Sequence, residues 1–311
     1  MKIRLGYVAL SKNFDCLFRT TTYTSFKENR NFSHLEEIII HNLHSLTELL
    51  KYNQKNNIHF YRITSNLIPL ATHQDVSFSY IKPYQNLYDQ IGQYIQQNNM
   101  RCDMHPDQFA VLNSTRKEVT ENTTRILEYH LDLLEAMHIQ NPTLILHVGS
   151  SVFGKEKSLQ RFIYQFKKLP KRIQGAIALE NDDKIYNVKD VLYLCETLDI
   201  RMILDYHHYI CNKGEIDIKD YYKRIFDTWK GQTPKIHFSS PKNKTKKEMR
   251  SHHDYIDSDA FIHFLESVKD LPYDLDIMIE AKMKDDALFR LTRDLKYKTE
   301  YTFIDDTSFY I

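Results

Sequence analysis

Glycine is scarce in this sequence, with seven among 311 residues. The chain therefore has neither a GxGxxG segment nor a Walker A loop, the glycine-rich turns that cradle nucleotide phosphates. We expect no nucleotide cofactor. The four cysteines are widely spaced and form no CxxC pair, which favours free thiols in a reducing compartment over disulfides or a zinc site; they are Cys16, Cys102, Cys195 and Cys211.

Long apolar runs are also missing. No stretch approaches the ~18–20 apolar residues that a membrane span needs, and Met1 leads directly into a strand-like segment instead of a signal sequence. We therefore expect a cytoplasmic protein without membrane association.

The formal net charge is +1, so overall charge neither favours nor excludes nucleic acid. One local basic cluster follows Pro241, and charge alone favours a solvated loop for it: Lys242, Lys244, Lys246, Lys247 and Arg250.

What the sequence does contain is a recurring strand-sized apolar run followed by a helix-sized segment. Several runs are nearly continuous in Val, Ile and Leu, as expected for parallel strands that are covered on both faces. The segments between them place apolar residues at i, i+3, i+4 and i+7, which is typical of amphipathic helices. The predicted strands are Ile3–Ala9, Ile58–Ile63, Arg101–Met104, Thr143–His147, Ala176–Leu179, Arg201–Leu204, Lys235–Phe238 and Asp276–Ile279.

Eight such β-then-α units predict an α/β fold, a (β/α)₈ TIM barrel of parallel strands with outer helices, as a single domain over residues 1–311. An open doubly wound sheet is the alternative, but its usual nucleotide loop is absent. The barrel places all strand ends on one rim, where barrel enzymes keep their active sites.

Imidazoles and carboxylates follow six of these strands. Side chains of both kinds at one rim suit acid–base chemistry or divalent metals bound through N and O. The set is too rich in ligands for one ion, so it predicts a cluster of two or three, with Glu180 or Glu280 able to bridge. The residues in question are His105, His147, Glu180, Asp205, His207, His208, His237 and Glu280.

The segments around these residues, taken in order, resemble the UV damage endonucleases. The resemblance runs from the first strand to the eighth, and the combination is more specific than any one piece. It rests on Leu5-Gly6-Tyr7, Tyr61-Arg62-Ile63-Thr64-Ser65, Met104-His105-Pro106-Asp107-Gln108-Phe109, Leu146-His147-Val148-Gly149, Leu179-Glu180-Asn181-Asp182, Asp205-Tyr206-His207-His208, Lys235-Ile236-His237-Phe238-Ser239 and Ile279-Glu280-Ala281-Lys282.

This resemblance implies a metal-dependent repair nuclease that acts on double-stranded DNA containing UV lesions. We expect it to be a monomer. Such enzymes nick the backbone immediately 5′ to cyclobutane pyrimidine dimers and (6-4) photoproducts, without ATP, and also act at abasic sites. The cofactors would be two or three divalent ions, with Mn²⁺ favoured over Zn²⁺ for so many hard ligands. The metal ligands carried over are His105, His147, Glu180, Asp205, His208, His237, His252 and Glu280.

Two ligand assignments compete with a neighbour, namely His252 with His253 and His208 with His207. The expected catalytic residues are Glu180, Glu280, His237 and Lys235. Lys235, two residues before His237, would face the same side of its strand. It could be neutral, carboxylated at Nζ, or paired with Glu180 or Asp205.

For DNA reading, the resemblance implies that Gln108 and Phe109 probe the duplex at the lesion, where an apolar wedge costs least because stacking is already disturbed. Tyrosine is usual in the family where Phe109 stands. Tyr7 is expected near the lesion, and Ser11 replaces an asparagine that some members have. Lys244 and Lys246 become candidate phosphate contacts.

Two other classes of function remain open. A sugar isomerase or epimerase on the same barrel would use metals but would not bind DNA. A non-catalytic damage-binding module would bind irradiated duplex without cutting it.

Overall fold

A computed structural model describes residues 1–15, 18–29, 32–107, 109–243, 245 and 248–311. Its eight parallel strands are hydrogen-bonded in chain order, and the eighth returns to the first, so that the sheet closes into a barrel. The predicted (β/α)₈ fold is confirmed, with every strand within two residues of its predicted start. The strands are β1 (Lys2–Val8), β2 (Phe60–Ile63), β3 (Arg101–Met104), β4 (Leu144–His147), β5 (Ile177–Glu180), β6 (Arg201–Asp205), β7 (Lys235–Phe238) and β8 (Leu275–Ile279).

Helices surround the barrel and bury one face each. In the longest, the buried residues Leu35, Ile38, Ile39, Asn42 and Leu46 recur at helical spacing. The helices are α1 (Tyr23–Asn29), α2 (Phe32–Lys55), α3 (Gln85–Gln97), α4 (Lys117–Ala136), α5 (Lys155–Lys168), α6 (Lys171–Ala176), α7 (Val188–Leu198), α8 (Tyr206–Cys211), α9 (Tyr222–Asp227), α10 (Ser258–Val268) and α11 (Lys284–Lys298), with short 3₁₀ turns at Lys82–Tyr84 and Ile218–Asp220.

The barrel interior is apolar on one side and charged on the other. Below the rim, β4, β5 and β6 contribute Ile145, Ala178 and Ile203, which pack with Trp229 in one buried cluster. Each lies two residues before a strand-end polar residue, and alternate residues of a strand point to the same face. The apolar cluster therefore forms the floor beneath His147, Glu180 and Asp205.

The opposite side holds buried ion pairs in two layers. Near the N-terminal ends, Arg4 and Arg101 both bind the Asp276 carboxylate, at 2.6 and 2.7 Å. One layer higher, Lys235 of β7 donates to Asp103 of β3. On this side, charged residues thus fill an interior that apolar side chains commonly occupy. They lie on the same interior faces of the strands as the polar residues at the rim.

Gly6 is required by the close approach of the first two strands. A Cβ atom built at this position would lie 2.2 Å from the carbonyl oxygen of Phe60, which is backbone and cannot move aside. The pairing of β1 with β2 closes the barrel there, so a side chain at residue 6 would open it.

A C-terminal hairpin extends the sheet beyond the predicted strands. Its strands β9 (Thr302–Phe303) and β10 (Ser308–Tyr310) pair antiparallel with each other, and β10 pairs with β1. They were not predicted, because runs of two and three residues carry too little periodicity to be recognised.

None of the helices in the described ranges is both long and apolar enough to traverse a bilayer. Cys102, Cys195 and Cys211 are free thiols, as predicted, and Cys16 lies outside the described residues.

Candidate metal centre

Every strand from β3 to β8 delivers a polar side chain to the C-terminal rim. His147, Glu180 and Asp205 are the last residues of β4, β5 and β6, and His105 and Glu280 directly follow β3 and β8. Strand alternation aims all of them inward, because each continues the interior-facing row of its strand. Single residues that are remote in the chain are brought together by barrel closure alone.

Glu180 lies at the centre of these side chains. Its Oε2 atom is 3.2 Å from Nε2 of His105 and 3.9 Å from Nε2 of His147. Its Oε1 atom is 3.0 Å from Nδ1 of His237 and 3.4 Å from Nδ1 of His208. One buried carboxylate therefore faces four imidazoles from four different strand ends.

Among the residues that the structure describes, three groups of side chains have the geometry to hold a metal ion, with ligand atoms within 4.8 Å of one another. Glu180 belongs to two of the groups, and so does Asp205. Shared carboxylates can bridge neighbouring ions, so the arrangement suits a cluster better than three isolated sites. The groups are His105, His147 and Glu180; Glu180, Asp205 and His208; and Asp205, His237 and Glu280.

The charges of this centre are poorly balanced without a cation. Burial would raise the pKa of Glu180, but the surrounding imidazoles, His237 and His147 foremost, hold that pKa well below its usual range. Burial, with the added repulsion of Glu180 and Glu280, raises the pKa of Asp205 well above its usual range despite His208. Two carboxylates driven in opposite directions are the signature of like charges crowded together, which bound cations would relieve.

Several buried ligand atoms also lack a hydrogen bond within the described part of the chain. They include Asp205 Oδ2 and His147 Nδ1. Buried polar atoms are normally paired, since an unpaired one costs about 1–3 kcal/mol. The donor set and these unpaired atoms fit divalent metal ions.

In two histidines, Nδ1 is held by a backbone carbonyl. Nδ1 of His105 donates to Pro106 at 2.8 Å, and Nδ1 of His208 donates to Asn181 at 2.9 Å. A carbonyl can only accept, so Nδ1 carries the proton in both rings and the lone pair of Nε2 is directed elsewhere. Hydrogen bonds of this kind orient metal-ligating imidazoles.

Asn181 positions the neighbouring strand as well. Its side chain exchanges two hydrogen bonds of 3.0 Å with the backbone of Asp205. The Asp205 carboxylate then accepts from the backbone of His208 at 2.7 Å and starts helix α8. Glu180-Asn181 and Asp205-His208 are thereby fixed as one unit.

The two ambiguous histidine pairs are arranged differently from each other. The His252 ring lies 5.4 Å from that of His207 and 6.5 Å from that of His208, so it borders the centre. His253 is exposed and bonds locally to Tyr255. His208 faces Glu180, whereas His207 is buried behind it against Cys211. His208 belongs to a candidate ligand group, whereas His252 borders the centre through its contacts with His207 and His208.

Arg62 was missed as a site residue in the sequence. From the middle of β2 its guanidinium reaches Glu280 Oε1 and His237 Nε2, both at 2.7 Å, and lies 3.9 Å from Asp103. The motif around Arg62 does not single it out; the signal available was an arginine in a strand that is otherwise fully buried, since such a charge requires partners.

Lys235 does not pair with Glu180 or Asp205, as one expectation had it. Its amine binds the Asp103 carboxylate in the layer below the ligands, and both side chains are fully buried. Burial lowers the pKa of Lys235 to about 7, with Asp103 opposing and Arg62 adding to the effect. The amine is therefore partly neutral near physiological pH.

The structure does not support the expectation that Tyr7 contacts DNA. Its side chain is 0% exposed, and its hydroxyl donates to Asn53 of α2 at 2.8 Å. Gly6, not Tyr7, faces the interior of the barrel, so Tyr7 points into the helix layer. Ser11 binds Asp285 and anchors the loop after β1.

Phe109 is 72% exposed on the loop after β3, directly beside the centre. The other residues expected to contact DNA, Gln108, Lys244 and Lys246, lie outside the described residues. In the rest of the basic cluster, Lys242 pairs with Glu248 and Arg250 with Asp183.

A closed parallel barrel with a rim of histidines and carboxylates defines this chain as a (β/α)₈ protein with a candidate multi-metal centre. The sequence model of one family, described as UV-endonuclease UvdE, matches residues 3–308. The chain belongs to this family, and the resemblance carried by its motifs is confirmed.

Individual relatives agree with this assignment. A UV DNA damage endonuclease of Bacillus cereus (strain G9842) is 38% identical over 303 residues, covering 95% of each chain. The crystal structure of SacUVDE superposes with a TM-score of 0.86 at 34% identity, covering 95% of this chain and 98% of that one. Endonuclease IV from Thermus thermophilus, at 10% identity and a TM-score of 0.57, covers 95% of this chain and all of its own and shares the fold alone.

Proposed function

We propose that this protein is a metal-dependent DNA repair endonuclease that nicks the phosphodiester backbone immediately 5′ to UV photoproducts. Its substrates are duplexes with cyclobutane pyrimidine dimers, (6-4) photoproducts or abasic sites, and it works as a monomer in the cytoplasm without a nucleotide cofactor. The observation that carries the proposal is the trio of ligand groups joined through Glu180 and Asp205, in a chain of the UvdE family.

The residues divide into ligands and supports. Two or three ions, Mn²⁺ in preference to Zn²⁺, would be held by His105, His147, Glu180, Asp205, His208, His237, His252 and Glu280. When bound, divalent ions supply Lewis acidity, which activates water and neutralises the oxygens of a phosphodiester.

The chain's own groups prepare this site. Glu180 and Asp205 fix the spacing of the ligand groups, and Asn181 holds Asp205 and His208 in place. Arg62 offsets the charge of Glu280.

Lesion recognition is assigned to the loop after β3. Phe109 projects into solvent beside His105, and Gln108 precedes it in sequence. An exposed aromatic wedge enters a duplex most cheaply where a photoproduct has already weakened stacking. The lesion would thereby be selected through deformability and not through base edges.

One nicking assay tests the function. Irradiated and unirradiated supercoiled plasmids are incubated with Mn²⁺, with and without chelator. We expect relaxation of the irradiated plasmid only, and only with metal. Equal nicking of both plasmids would refute lesion specificity, and binding without nicking would indicate a damage-binding module. An end-labelled duplex with a single pyrimidine dimer then maps the cut, which must fall directly 5′ to the dimer.

A further inference from the structure

Phe153 has an unusual backbone for a bulky residue. It follows β4 with φ of +66°, in the left-handed region that side chains with a Cβ rarely adopt. Where Asp199 has such a conformation, it ends helix α7, but Phe153 ends no helix. Strained residues of this kind persist when the surroundings enforce them, and they cluster at functional sites.

The strain is not explained by burial of the ring. The Phe153 side chain is 74% exposed, so it contributes almost no packing to the core. The turn around it is nonetheless firmly held: the carbonyl of Val152 accepts from Arg161 at 2.5 Å and from Ser158 at 3.1 Å, and Gly154 donates to Ser151 at 2.9 Å. The backbone of the turn is therefore held by hydrogen bonds, while the apolar ring of Phe153 projects into solvent.

The loop of Phe153 is bound to the loop of Phe109. The Asn113 side chain, after β3, donates to the Ser150 carbonyl at 2.6 Å and accepts from the Ser150 backbone at 3.0 Å. Arg161 adds a bond of 3.1 Å to the carbonyl of Asn113. Hydrogen bonds therefore join the two loops that carry the exposed Phe109 and Phe153, on the same rim as His105 and His147.

We infer that Phe153 is a second DNA-contacting aromatic, which stacks on the duplex beside the lesion while Phe109 probes it. The inference rests on the proposed function. A duplex is the occupant that fits, because Phe153 lies on the same rim as Phe109 and the candidate metal centre. A cut beside the lesion requires the DNA helix to lie across this rim. Nucleobases offer apolar faces for an aromatic ring, independent of sequence.

The test uses variants that keep the turn intact. Phe153→Asn removes the ring but suits the left-handed backbone, and Phe153→Ala removes the ring alone. Tyr297→Ala is the matched control, since Tyr297 is 91% exposed at the C-terminal end of α11, away from the rim. Binding to a duplex with one pyrimidine dimer is measured by anisotropy, and nicking with Mn²⁺ gives KM and kcat.

For Phe153→Asn we expect Kd and KM to rise about 10-fold, within the range found when a stacking aromatic is removed. The thermal midpoint should not fall, because no core contact is lost, and the salt dependence of binding should not change, because no charge is lost. Tyr297→Ala should behave as wild type. Unchanged Kd and KM for both Phe153 variants would overturn the inference. If the wild type binds the dimer-containing duplex but does not nick it, the proposed nuclease activity is refuted, and the comparison of Kd values still decides the role of Phe153. If the wild type neither binds nor nicks this duplex, both the nuclease activity and the role of Phe153 are refuted.

Discussion

A carboxylate oxygen of Glu180 and one of Asp205 lie within 4.8 Å of each other and of a ring nitrogen of His208. Each of the two carboxylates also belongs to a further ligand group, whereas Glu280 belongs to one. Both are buried, and their pKa values are displaced in opposite directions. Glu180 therefore connects the first ligand group to the second, and Asp205 connects the second to the third.

This relationship predicts that Glu180→Gln and Glu280→Gln have unequal effects on metal content. Glu180→Gln weakens two ligand groups and Glu280→Gln one, so the first should retain fewer Mn²⁺ ions per chain by elemental analysis after gel filtration. Nicking by Glu180→Gln should fall by more than about 100-fold, beyond the roughly 10–100-fold typical of groups that only orient ligands. Equal metal loss in the two variants would contradict the shared role.

Arg62 predicts a second effect, on the stability of the metal-free protein. Its guanidinium lies 2.7 Å from Glu280 Oε1, and removing one partner of a buried pair costs about 3–5 kcal/mol. Arg62→Met should therefore lower the thermal midpoint of the metal-free protein. Added Mn²⁺ should then stabilise this variant more than it stabilises wild type, because the ion replaces the lost charge.

Arg62→Lys is the control for that experiment, since it keeps the charge and loses the planar fork. It should lie between wild type and Arg62→Met. If Mn²⁺ raises the midpoint of all three proteins equally, Arg62 does not balance the charge of the metal ligands.

The barrel and most of the candidate site could be predicted from sequence for one physical reason. Parallel strands buried on both faces give continuous apolar runs, and closure puts their ends on one rim. His147, Glu180 and Asp205 mark those ends directly. Arg62 could not be found this way, because its partners come from other strands and only the closed barrel brings them together.

For Tyr7, the sequence predicted the position along the strand but not the direction of the side chain. A shift of one residue along a strand exchanges the interior face for the helix-facing one, and the parity of β1 is not evident from Leu5-Gly6-Tyr7. The structure puts Gly6 inside and Tyr7 against Asn53. The position of His147 at the end of its strand correctly predicted that His147 lies at the rim. The position of Tyr7 near the end of β1 did not predict the direction of its side chain.

We predict a covalent modification of Lys235 that mass spectrometry can detect. Its pKa of about 7 leaves part of the amine neutral. The neutral nitrogen can attack CO₂, forming an N–C bond and releasing one proton, to give an anionic carbamate. Native mass spectrometry should then show a mass increment of one CO₂, which acid removes. Lys235→Arg cannot form the carbamate and should lack the increment. An unmodified wild type would leave Lys235 as the buried partner of Asp103.

His130 predicts how stability depends on pH. Its Nδ1 donates to the Ile126 carbonyl at 2.7 Å, and burial lowers its pKa from 6.5 to about 4. The unfolded chain therefore takes up a proton near pH 6.5, while the folded protein resists it until about pH 4. Stability from this group is complete above pH 6.5 and is lost as the pH falls towards 4, by roughly 3 kcal/mol at ~1.4 kcal/mol per pH unit.

His130→Leu should remove that part of the acid sensitivity. Urea unfolding of the metal-free protein at pH 7 and at pH 4 gives the two free energies of unfolding. Their difference should be smaller in His130→Leu than in wild type by roughly 3 kcal/mol. His263→Leu, at an exposed position on α10, controls for the loss of one imidazole. If His130→Leu loses as much stability as wild type between these pH values, His130 does not stay neutral in the folded protein, and the acid sensitivity must come from other groups.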